Sequence, residues 1–364
     1  LIVWWNVLSK RLKCRCRECP GCNLTGINIE LDPPYLVFLG DVGDDGHAKT
    51  GFGIVHWRGE RCAGQMRLPG CPVDLGIPEL DVAGAIEAGV RTAIVGVAPT
   101  GGQIVDAWMP PLVQLARAGI DIAAGMHSRL NDMPELVDAA ARGNAKLIDV
   151  RVPPGDIPVG RGRPRSGKRV LTVGTDCAVG KKYTALSLYR ELSGRGVPST
   201  FRATGQTGIM IAGSGIPLDA VVADFISGAA ETLSPDNDDD HWDVIEGQGA
   251  LLHPSYSGVT LGLIHGSQPD AIVLCHDAGR SMILGLEDSF SVPPISDVID
   301  RVLQAARITN PACRCVGVSV NTSRMSSEER AGYLDELERE SGLHCTDPVA
   351  MGVETIVDRL MEIQ

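Results

Sequence analysis

The segment RVLTVGTDCAVGKKYTALSLYREL, residues 169–192, decides how the second half of this chain folds. It begins with a run of apolar and β-branched residues, passes through a loop with two glycines and continues as a helical pattern. The backbone N–H groups of such a loop, together with the N-terminus of the helix that follows, form a concave site for anions, and a lysine at the junction adds positive charge. The segment therefore predicts a strand, a phosphate-binding loop and a helix.

The loop departs from the usual sequence of a nucleotide hydrolase at two points. Five residues separate Gly174 from Gly180, where a Walker A loop has about four. Lys182 stands where a hydrolase places the Ser or Thr that coordinates Mg²⁺, and the nearest hydroxyl belongs to Thr184. Because an ammonium group has no lone pair for a cation, the sequence disfavours catalysed ATP hydrolysis and favours binding of a phosphorylated cofactor.

The composition of the chain limits the classes of partner. A length of 364 residues suggests two domains, and 44% hydrophobic residues are enough for full cores. Only 4% of the residues are aromatic and the net charge is −12, both of which argue against nucleic acid as a partner. No apolar run reaches the length of a membrane span. We therefore expect small-molecule substrates, and neither nucleic acid nor a membrane as partner.

The first residues differ from the rest of the chain. The segment LIVWWNVLSKRLKCRCRECPGCN, residues 1–23, is basic and rich in cysteine. Its thiols are Cys14, Cys16, Cys19 and Cys22. They could hold zinc, but their spacing is tighter than that of paired C-x2-C knuckles and no histidine assists. We therefore predict that residues 1–32 are an appendage outside the fold, and we predict no metal site. The scattered set of eleven cysteines indicates a reducing, cytoplasmic environment rather than a disulfide framework.

Strand-like and helical segments alternate along the rest of the chain, which predicts α/β domains with parallel sheets. Residues 33–151 form the first unit, a Rossmann-like domain, but its first turn has no G-x-G-x-x-G, so a dinucleotide site is not supported. Residues 152–168, VPPGDIPVGRGRPRSGK, are rich in Pro, Gly and Arg and are predicted to be a linker. The alternation restarts in residues 169–364, which we predict to be a P-loop NTPase-like domain.

Polar residues follow the predicted strands at their carboxyl ends, where open parallel sheets bind ligands. In the C-terminal domain this rule collects Asp176, Lys181, Arg202, Glu246, His276 and Arg280 on one rim. In the N-terminal domain it adds Lys49, His127 and Arg129. If the two rims face each other, the substrate lies in the cleft between the domains, which is a common place for a binding site.

Two motifs resemble those of dethiobiotin synthetase and its relatives. The segment VGTDCAVGK, residues 173–181, is similar to their GTDTxVGKT loop. The segment DVIEGQGALLHP, residues 243–254, is similar to their vEGaGG…P segment, in which the glutamate holds magnesium. Both motifs stand in the expected order, each at the end of a predicted strand, and together they support a P-loop domain more strongly than either does alone.

From about Pro33 to its end, the chain resembles a family long catalogued as a domain of unknown function, one branch of which is assigned as D-glutamate N-acetyltransferases of the DgcN type. The matching segments include PYLVFLGDV, GQMRLPGCPVDLGIPEL, AGMHSRLNDMPEL and FRATGQTGIMIAGSGIPLDAVVADFISGAAE, and they span both predicted domains. The resemblance implies a Rossmann-like N-terminal domain, a P-loop C-terminal domain and acetyl transfer from acetyl-CoA to the amine of D-glutamate. Within this family Lys182 and Thr184 are part of the loop itself.

Such a reaction needs a base for the protonated amine, donors for the carbonyl oxygen and an anion site for the phosphates of the coenzyme. Three candidates for the base stay open: Glu246, Asp176 and His253. The predicted coenzyme site consists of Gly174, Thr175, Cys177, Ala178, Val179, Gly180, Lys181, Lys182, Tyr183 and Thr184. The predicted substrate contacts are Arg202, Gln206, His276, Arg280, His127, Arg129 and Lys49. Arginine forks among them are natural partners for the two carboxylates of glutamate.

Two other functions stay open at this point. One is an ATP/Mg²⁺-dependent ligase or kinase-like enzyme resembling dethiobiotin synthetase, in which Glu246 would hold magnesium. The other is a non-catalytic, nucleotide-bound switch or chaperone. The hydroxyl that is missing at Lys182 counts against both. For the leading function we expect a cytoplasmic homo-oligomer.

Overall fold

The structure is a computed structural model that describes residues 26–29, 31–99 and 101–363. Each half of the chain forms its own sheet, and every pairing within these two sheets is parallel. The predicted fold class, two α/β domains with a Rossmann-like sheet followed by a P-loop-type sheet, is confirmed.

The N-terminal domain contains five parallel strands, preceded by the short strand β1 (Ile27–Asn28). The strands are β2 (Tyr35–Gly40), β3 (Cys62–Arg67), β4 (Thr92–Val95), β5 (Asp121–Ala124) and β6 (Leu147–Asp149), in the spatial order β3-β2-β4-β5-β6. The helices are α1 (Lys49–Arg58), α2 (Val82–Glu87), α3 (Met109–Arg117) and α4 (Pro134–Gly143). All residues of β2 are buried, which is typical of a parallel strand covered on both faces. Pro110 and Pro111, expected to bend or restart a helix, stand in the first turn of α3, where a proline breaks no intrahelical hydrogen bond.

The C-terminal domain contains a six-stranded parallel sheet. Its strands are β7 (Lys168–Gly174), β8 (Ser199–Arg202), β10 (Trp242–Ile245), β11 (Ala271–Asp277), β12 (Arg314–Asn321) and β13 (Cys345–Thr346), in the spatial order β13-β12-β11-β7-β10-β8; β9 (Ser214–Gly215) lies outside it. The helices are α5 (Lys181–Gly194), α6 (Gln206–Ala212), α7 (Ile226–Leu233), α8 (Ser257–Ser267), α9 (Ile295–Ala306), α10 (Ser327–Ser341) and α11 (Glu354–Met361). None of the helices in the described ranges is long and apolar enough to cross a bilayer.

The predicted appendage is in part integrated into the fold. β1 pairs antiparallel with β9, and Ile29 and Leu31 are buried in the core. Residues 26–29, 31 and 32 therefore belong to the folded chain, because a single strand pairing and two apolar side chains anchor them. That signal is too short to stand out in the sequence. The four clustered cysteines, and the zinc-binding alternative considered for them, lie outside the described residues.

The predicted linker has no helix or strand before Lys168, where β7 begins, yet it is packed against the C-terminal domain. The backbone N–H groups of Arg161 and Gly162 donate to Glu231 Oε1 at 2.8 and 2.6 Å. Arg165 donates to the backbone carbonyl of Gly266 at 2.7 Å. Because these polar groups are hydrogen-bonded to the C-terminal domain, the segment is held in place and does not act as a free hinge.

The two domains are joined by direct polar contacts. Thr50 Oγ1 of α1 lies 3.0 Å from Thr207 Oγ1 of α6, in a buried hydrogen bond. Arg58 Nη2 donates to the backbone carbonyl of Ile211, near the C-terminal end of α6, over a distance of 2.7 Å. Apolar side chains from both domains belong to one continuous core. Contacts between α1 and α6 and a shared apolar core therefore hold the two domains against each other.

Candidate active site in the interdomain cleft

The loop between β7 and α5 is folded tightly around the side chain of Lys181. Ala178 and Gly180 have φ angles of 54° and 102°, in the left-handed region that turns the chain toward α5. A Cβ atom on Gly174 would lie 2.9 Å from Lys181 Nζ and 2.8 Å from the carbonyl oxygen of Asp176, so only glycine fits there. Lys181 Nζ donates to that carbonyl at 2.8 Å, and burial lowers the pKa of the ammonium. An anion at the loop would meet this charge and the free N–H groups of the first turn of α5.

Asp176, inside the loop, is held by donors on both carboxylate oxygens. Oδ2 accepts from Arg280 Nη1 at 2.9 Å and from the backbone N–H of Leu284 at 2.8 Å. Oδ1 accepts the N–H of Cys177 at 2.5 Å, and the carboxyl group is fully buried. Asp176 and Arg280 neutralise each other and fix the shape of the loop. Their charges are therefore committed to one another rather than to a base role or a substrate carboxylate.

His253 is also buried, and its hydrogen bonding makes it a donor. Nδ1 accepts the N–H of Ser255 at 3.0 Å, so we infer that the neutral ring carries its proton on Nε2. Nε2 has no hydrogen-bond partner within the described residues and lies 3.8 Å from Asp176 Oδ1. A base would need the opposite tautomer. The ring of His253 is thus suited to support the carboxylate in the loop rather than to remove a proton from a substrate.

Possible metal-ligand atoms of Asp176, Cys177 and His253 lie within 4.8 Å of one another. Two observations make this cluster a poor cation site. The carboxylate already pairs with Arg280, and burial raises the pKa of the Cys177 thiol, whereas metals bind the thiolate. Asp176 instead belongs to a hydrogen-bonded network with Cys177, Arg280 and Leu284 that braces the loop, and His253 packs beside it.

Two further predicted site residues face the interior of the C-terminal domain. His276 is engaged on both ring nitrogens, with Nδ1 3.1 Å from Thr175 Oγ1 and Nε2 3.0 Å from Tyr333 OH. Thr184 Oγ1 lies 2.7 Å from Ser319 Oγ on β12. Since its hydroxyl is turned into the core, Thr184 does not replace the magnesium-binding hydroxyl that the loop lacks.

Arg202 ends β8, as expected, but its guanidinium is buried in an ion pair. Nε donates to Asp243 Oδ1 at 2.8 Å, and the side chain of Arg202 is 9% exposed. Asp243 stands two residues before Ile245, the residue that pairs with Arg202, and so lies on the same face of the sheet. The side chain therefore folds back along the sheet instead of reaching the cleft.

Glu246 follows β10, and only one of its two carboxylate oxygens accepts hydrogen bonds from described residues. Oε2 accepts the N–H groups of Thr204 at 3.0 Å and Gly205 at 3.1 Å, while no donor in the described part of the chain bonds to Oε1. Gly208 of α6 has no side chain and leaves the room that this carboxylate occupies, since a Cβ atom there would clash with Oε2. Burial raises the pKa of Glu246, opposed by the backbone donors and by the charge of Lys182.

The ammonium of Lys182 extends away from the loop and into the cleft. A Cβ atom on Gly53 of α1 would lie 2.6 Å from Nζ, so the lysine contacts the backbone of the other domain. Nζ lies 5.3 Å from the ring centroid of Tyr183 and makes no hydrogen bond or ion pair with any described residue. Burial lowers the pKa of Lys182 to about 8; Glu246 opposes this shift and Lys49, at the exposed start of α1, reinforces it.

A cavity of about 160 Å³ lies between the domains near the end of β6. It is lined by Met126, His127, Arg129, Asp149, Arg151, Val152 and Ala220. The Asp149 carboxylate already accepts three hydrogen bonds, and Arg151 pairs with Asp219 of the C-terminal domain at 2.8 Å. Burial and the charge of Arg151 lower the pKa of His127, and the charge of Asp219 opposes this shift. The unbound groups of the lining are thus basic or neutral, which suits a ligand with carboxylates.

The start of α6 connects the parts of the cleft. Gln206 packs against Gly125 in the loop that forms the cavity wall, and its Oε1 is buried without a partner among the described residues. Thr207 contacts Gly53 beside the free ammonium. The third residue, Gly208, leaves the room that the Glu246 carboxylate occupies. Three consecutive residues therefore place the cavity, the lysine and the carboxylate next to one another.

The structure separates the predicted site residues into two groups. Around the cleft it brings together Lys181, Lys182, Glu246, Gln206, Lys49, His127 and Arg129. It turns Asp176, Thr184, His253, His276, Arg280 and Arg202 toward partners inside the C-terminal domain. Sequence reasoning missed Arg151, although it follows a predicted strand and the strand-end rule applies to it. It also missed Asp219 and Gly53, for which no signal existed, because only the meeting of the domains gives them a role.

A phosphate-type loop in the C-terminal domain and a basic cavity shared with the Rossmann-like domain place this chain in a class of two-domain α/β enzymes. The chain belongs to the DUF1611 family. Residues 158–357 match the family described as "Domain of unknown function (DUF1611_C) P-loop domain", and residues 62–153 match "Domain of unknown function (DUF1611_N) Rossmann-like domain".

Two curated relatives and one solved structure are similar over nearly the whole chain. A D-glutamate N-acetyltransferase of Tritonibacter scottomollicae is 49% identical over 92% of this chain and 100% of its own length. A D-glutamate N-acetyltransferase of Pseudoalteromonas sp is 44% identical over 91% of this chain and 100% of its own length. The crystal structure of a DUF1611 family protein from Anabaena variabilis has a TM-score of 0.82 at 32% identity and covers 91% of this chain and 100% of its own.

Proposed function

We propose that this protein is an N-acetyltransferase that moves an acetyl group from acetyl-CoA to the amine of D-glutamate. One observation carries the proposal: a phosphate-type loop in the C-terminal domain stands close to a basic cavity that lies between the two domains. The names of the curated relatives, which match over their full lengths, support the reaction and the acceptor. The donor is inferred from the loop, since coenzyme A is an acetyl donor with several phosphates.

In this proposal the phosphates of the coenzyme bind at the loop, at one end of the cleft. Lys181 and the first turn of α5 supply charge and N–H donors there, and Lys49 faces the loop from the N-terminal domain. Coenzyme A keeps its thioester at the end of a long, flexible pantetheine arm. With the phosphates at the loop, this arm would follow the cleft past the start of α6 and bring the thioester toward the cavity.

In this proposal D-glutamate binds in the cavity, at the other end of the cleft. Two carboxylates need two cationic forks or equivalent donors, and Arg129 and Arg151 line the same space. Arg151 is shared with Asp219 from the other domain, so its position depends on the closed arrangement of the two domains. The ring of His127 adds a hydrogen-bonding group beside them. This set selects an acidic acceptor over an uncharged one.

The amine of the acceptor is the group that has to face the thioester. The open oxygen of Glu246 lies at the start of α6, next to the residue that packs on the cavity wall, and is a counter-ion for the incoming ammonium group. Its two backbone donors keep the carboxylate oriented. Of the three candidates for the base, Asp176 pairs with Arg280 and His253 is turned toward Asp176, whereas Glu246 has an oxygen to which no described donor bonds.

No specific observation favours the ATP/Mg²⁺-dependent alternative. It needs a hydroxyl at the loop, and the nearest one, on Thr184, is bonded to Ser319 inside the domain. The acetyltransferase proposal uses the same loop without that group.

Thiol release is the direct test. The protein is incubated with acetyl-CoA and D-glutamate, and free coenzyme A is measured with a thiol reagent, with ATP/Mg²⁺ consumption measured in parallel. We expect thiol release that depends on D-glutamate, and slower release with D-glutamine, which lacks the second carboxylate. ATP consumption without thiol release would overturn the proposal.

Small-molecule substrates follow from this function, and we also propose a cytoplasmic homo-oligomer. The seven cysteines in the described part of the chain are all free, in keeping with a reducing compartment. The oligomeric state stays a prediction, and sedimentation equilibrium of the purified full chain measures it.

A further inference from the structure

Lys182 is the one loop lysine whose charge has no partner among the described residues. Lys181 beside it is bonded to a loop carbonyl, whereas Lys182 Nζ bonds to none of them and rests on the backbone of α1 at Gly53. Thr207 touches the same glycine, one residue after Gln206 at the cavity wall. The free amine therefore lies between the phosphate loop and the cavity, on the path that the thioester arm would take.

The surroundings of Lys182 disfavour its charged form. The half-buried ammonium of Lys182 loses part of its hydration, and no hydrogen bond from a described residue compensates for that loss. The charged and titratable groups that face it are Glu246 from the β10 end, Lys49 and His56 from α1, and the ring of its neighbour Tyr183. Glu246 favours the ammonium but lies beyond ion-pair distance, and the face of the Tyr183 ring adds a weak cation–π attraction. A lysine in this setting exchanges its proton near neutral pH, as catalytic lysines do.

We propose that Lys182 is the proton-transfer group of the reaction, taking a proton from the ammonium of the acceptor and giving it to the sulfur that leaves. This inference rests on the proposed function and assigns the base that the sequence left open. It replaces a purely phosphate-binding role for this lysine.

Atoms and charges balance in this step. Neutral Lys182 Nζ takes one proton from the ammonium of D-glutamate, and the amine lone pair forms a bond to the acetyl carbonyl carbon. The bond from that carbon to sulfur breaks, and its electron pair leaves with the thiolate, which takes the proton back from Lys182. The remaining surplus proton on nitrogen passes to water. The products are the amide, the thiol and one proton, and Lys182 is neutral again.

The other groups at the cleft are less suited to this role. The ordinary pKa of a glutamate carboxyl, about 4.3, lies several units below that of an amine, so proton transfer from an ammonium to Glu246 is strongly uphill. A second amine is matched to the amine it deprotonates and to a leaving thiol. Glu246 then acts as the counter-ion that holds the ammonium for Lys182.

The test compares Lys182→Arg, Lys182→Ala and Lys182→Gln with the wild-type chain. Arginine keeps the positive charge but cannot lose its proton, so it separates a phosphate-binding role from a proton-transfer role. We expect kcat to fall by about 10²- to 10⁴-fold in all three, with the KM for acetyl-CoA changed by less than about threefold in the arginine variant. The wild-type kcat should rise as the pH passes about 8, the pKa of Lys182, and this rise should be absent from the variants. Lys146→Arg, at an exposed position far from the loop, is the matched control.

Chemical rescue keeps the test independent of side-chain size. Methylamine added to Lys182→Ala should restore part of kcat in proportion to its free-base concentration, while ethylene glycol at the same concentration should not. If the arginine variant keeps its kcat and pH profile, or if the alanine variant is folded and is not rescued, the inference is overturned and the proposed function stands. If the wild-type chain releases no thiol with D-glutamate, the proposed function itself fails.

Discussion

Gly53 of the N-terminal domain and Lys182 of the C-terminal domain touch across the cleft, with room for no atom between the glycine backbone and the lysine ammonium. A Cβ atom on Gly53 would lie 2.6 Å from Nζ and 3.0 Å from a methyl group of Thr207. This contact makes the position of a loop side chain depend on a helix in the other domain. The cleft is thus a single site built by both domains, and substitutions on either side should affect one reaction.

Gly53→Ala should lower activity without unfolding the protein. The new methyl group displaces the flexible end of Lys182, and misplacing a reacting group by about 1 Å costs on the order of 10²-fold in rate. Stability should change by less than about 1 kcal/mol, because alanine is favoured over glycine within a helix by a similar amount. Steady-state kinetics and thermal melting measure the two effects.

Gly59→Ala is the control for this substitution. Its backbone is in the right-handed helical region and no atom lies within 4 Å of the added Cβ. An equal loss of kcat in Gly53→Ala and Gly59→Ala would contradict the importance of the contact.

Arg129→Ala should raise the KM for D-glutamate by roughly 10- to 100-fold, because a hydrogen bond to a charged group contributes about 1.5–3 kcal/mol. The KM for acetyl-CoA should stay the same, since the cavity is at the other end of the cleft from the loop. Arg129 makes no side-chain hydrogen bond within the described residues, so its removal should leave the melting temperature unchanged. Arg142→Ala, on the exposed face of α4, is the matched control and should have wild-type kinetics.

Lys181→Met should chiefly raise the KM for acetyl-CoA, because it removes the charge at the loop and keeps most of the side-chain volume. A loss of about 10- to 100-fold in affinity for coenzyme A is expected from one charge-assisted contact. Titration calorimetry with coenzyme A measures it without turnover. A change confined to the KM for D-glutamate would show that the coenzyme phosphates bind elsewhere.

Glu246→Gln should weaken binding of D-glutamate while leaving the free protein as stable as before or more so. Burial raises the pKa of Glu246 in the folded chain, so the ionised carboxylate is a cost to folding at neutral pH. Glutamine removes that cost and still accepts the two backbone hydrogen bonds. The gain in the free energy of unfolding should be complete above the raised pKa of Glu246 in the folded chain. It should vanish as the pH falls below the ordinary pKa of a glutamate carboxyl.

Denaturant unfolding of Glu246→Gln and wild type, from about pH 4 to about pH 8, tests the sign of this effect. A variant that is less stable than wild type at neutral pH and equal to it at the acidic end would show that Glu246 stabilises the fold as an ion. In that case its carboxylate would already be compensated in the free protein, and its role as counter-ion for the acceptor would lose its basis.

Local sequence determined the elements that build the site. The segment of residues 169–192 specifies strand, loop and helix because the apolar run, the two glycines and the helical period act over a few residues each. The alternation along both halves specifies parallel sheets, and the rule that ligands lie at the carboxyl ends of such sheets led to Lys181, Glu246 and His127. The structure places His127 in the lining of the interdomain cavity, and the roles of all three residues in binding stay predictions. A phosphate-type loop without its magnesium hydroxyl is likewise evident from the residue types alone, because the position after Gly180 and Lys181 carries an amine.

Tertiary structure alone decided which of the polar residues are free. Asp176 and Arg280 are far apart in the chain, and only the packing of β7 against β11 makes them an ion pair. Arg202 ends a strand like the others, but the choice between the cleft and a partner on the sheet depends on Asp243 in a neighbouring strand. The sequence shows the charges and their order. Whether a charge is neutralised or left open depends on contacts between distant segments, and for Lys182 it depends on a glycine in the other domain.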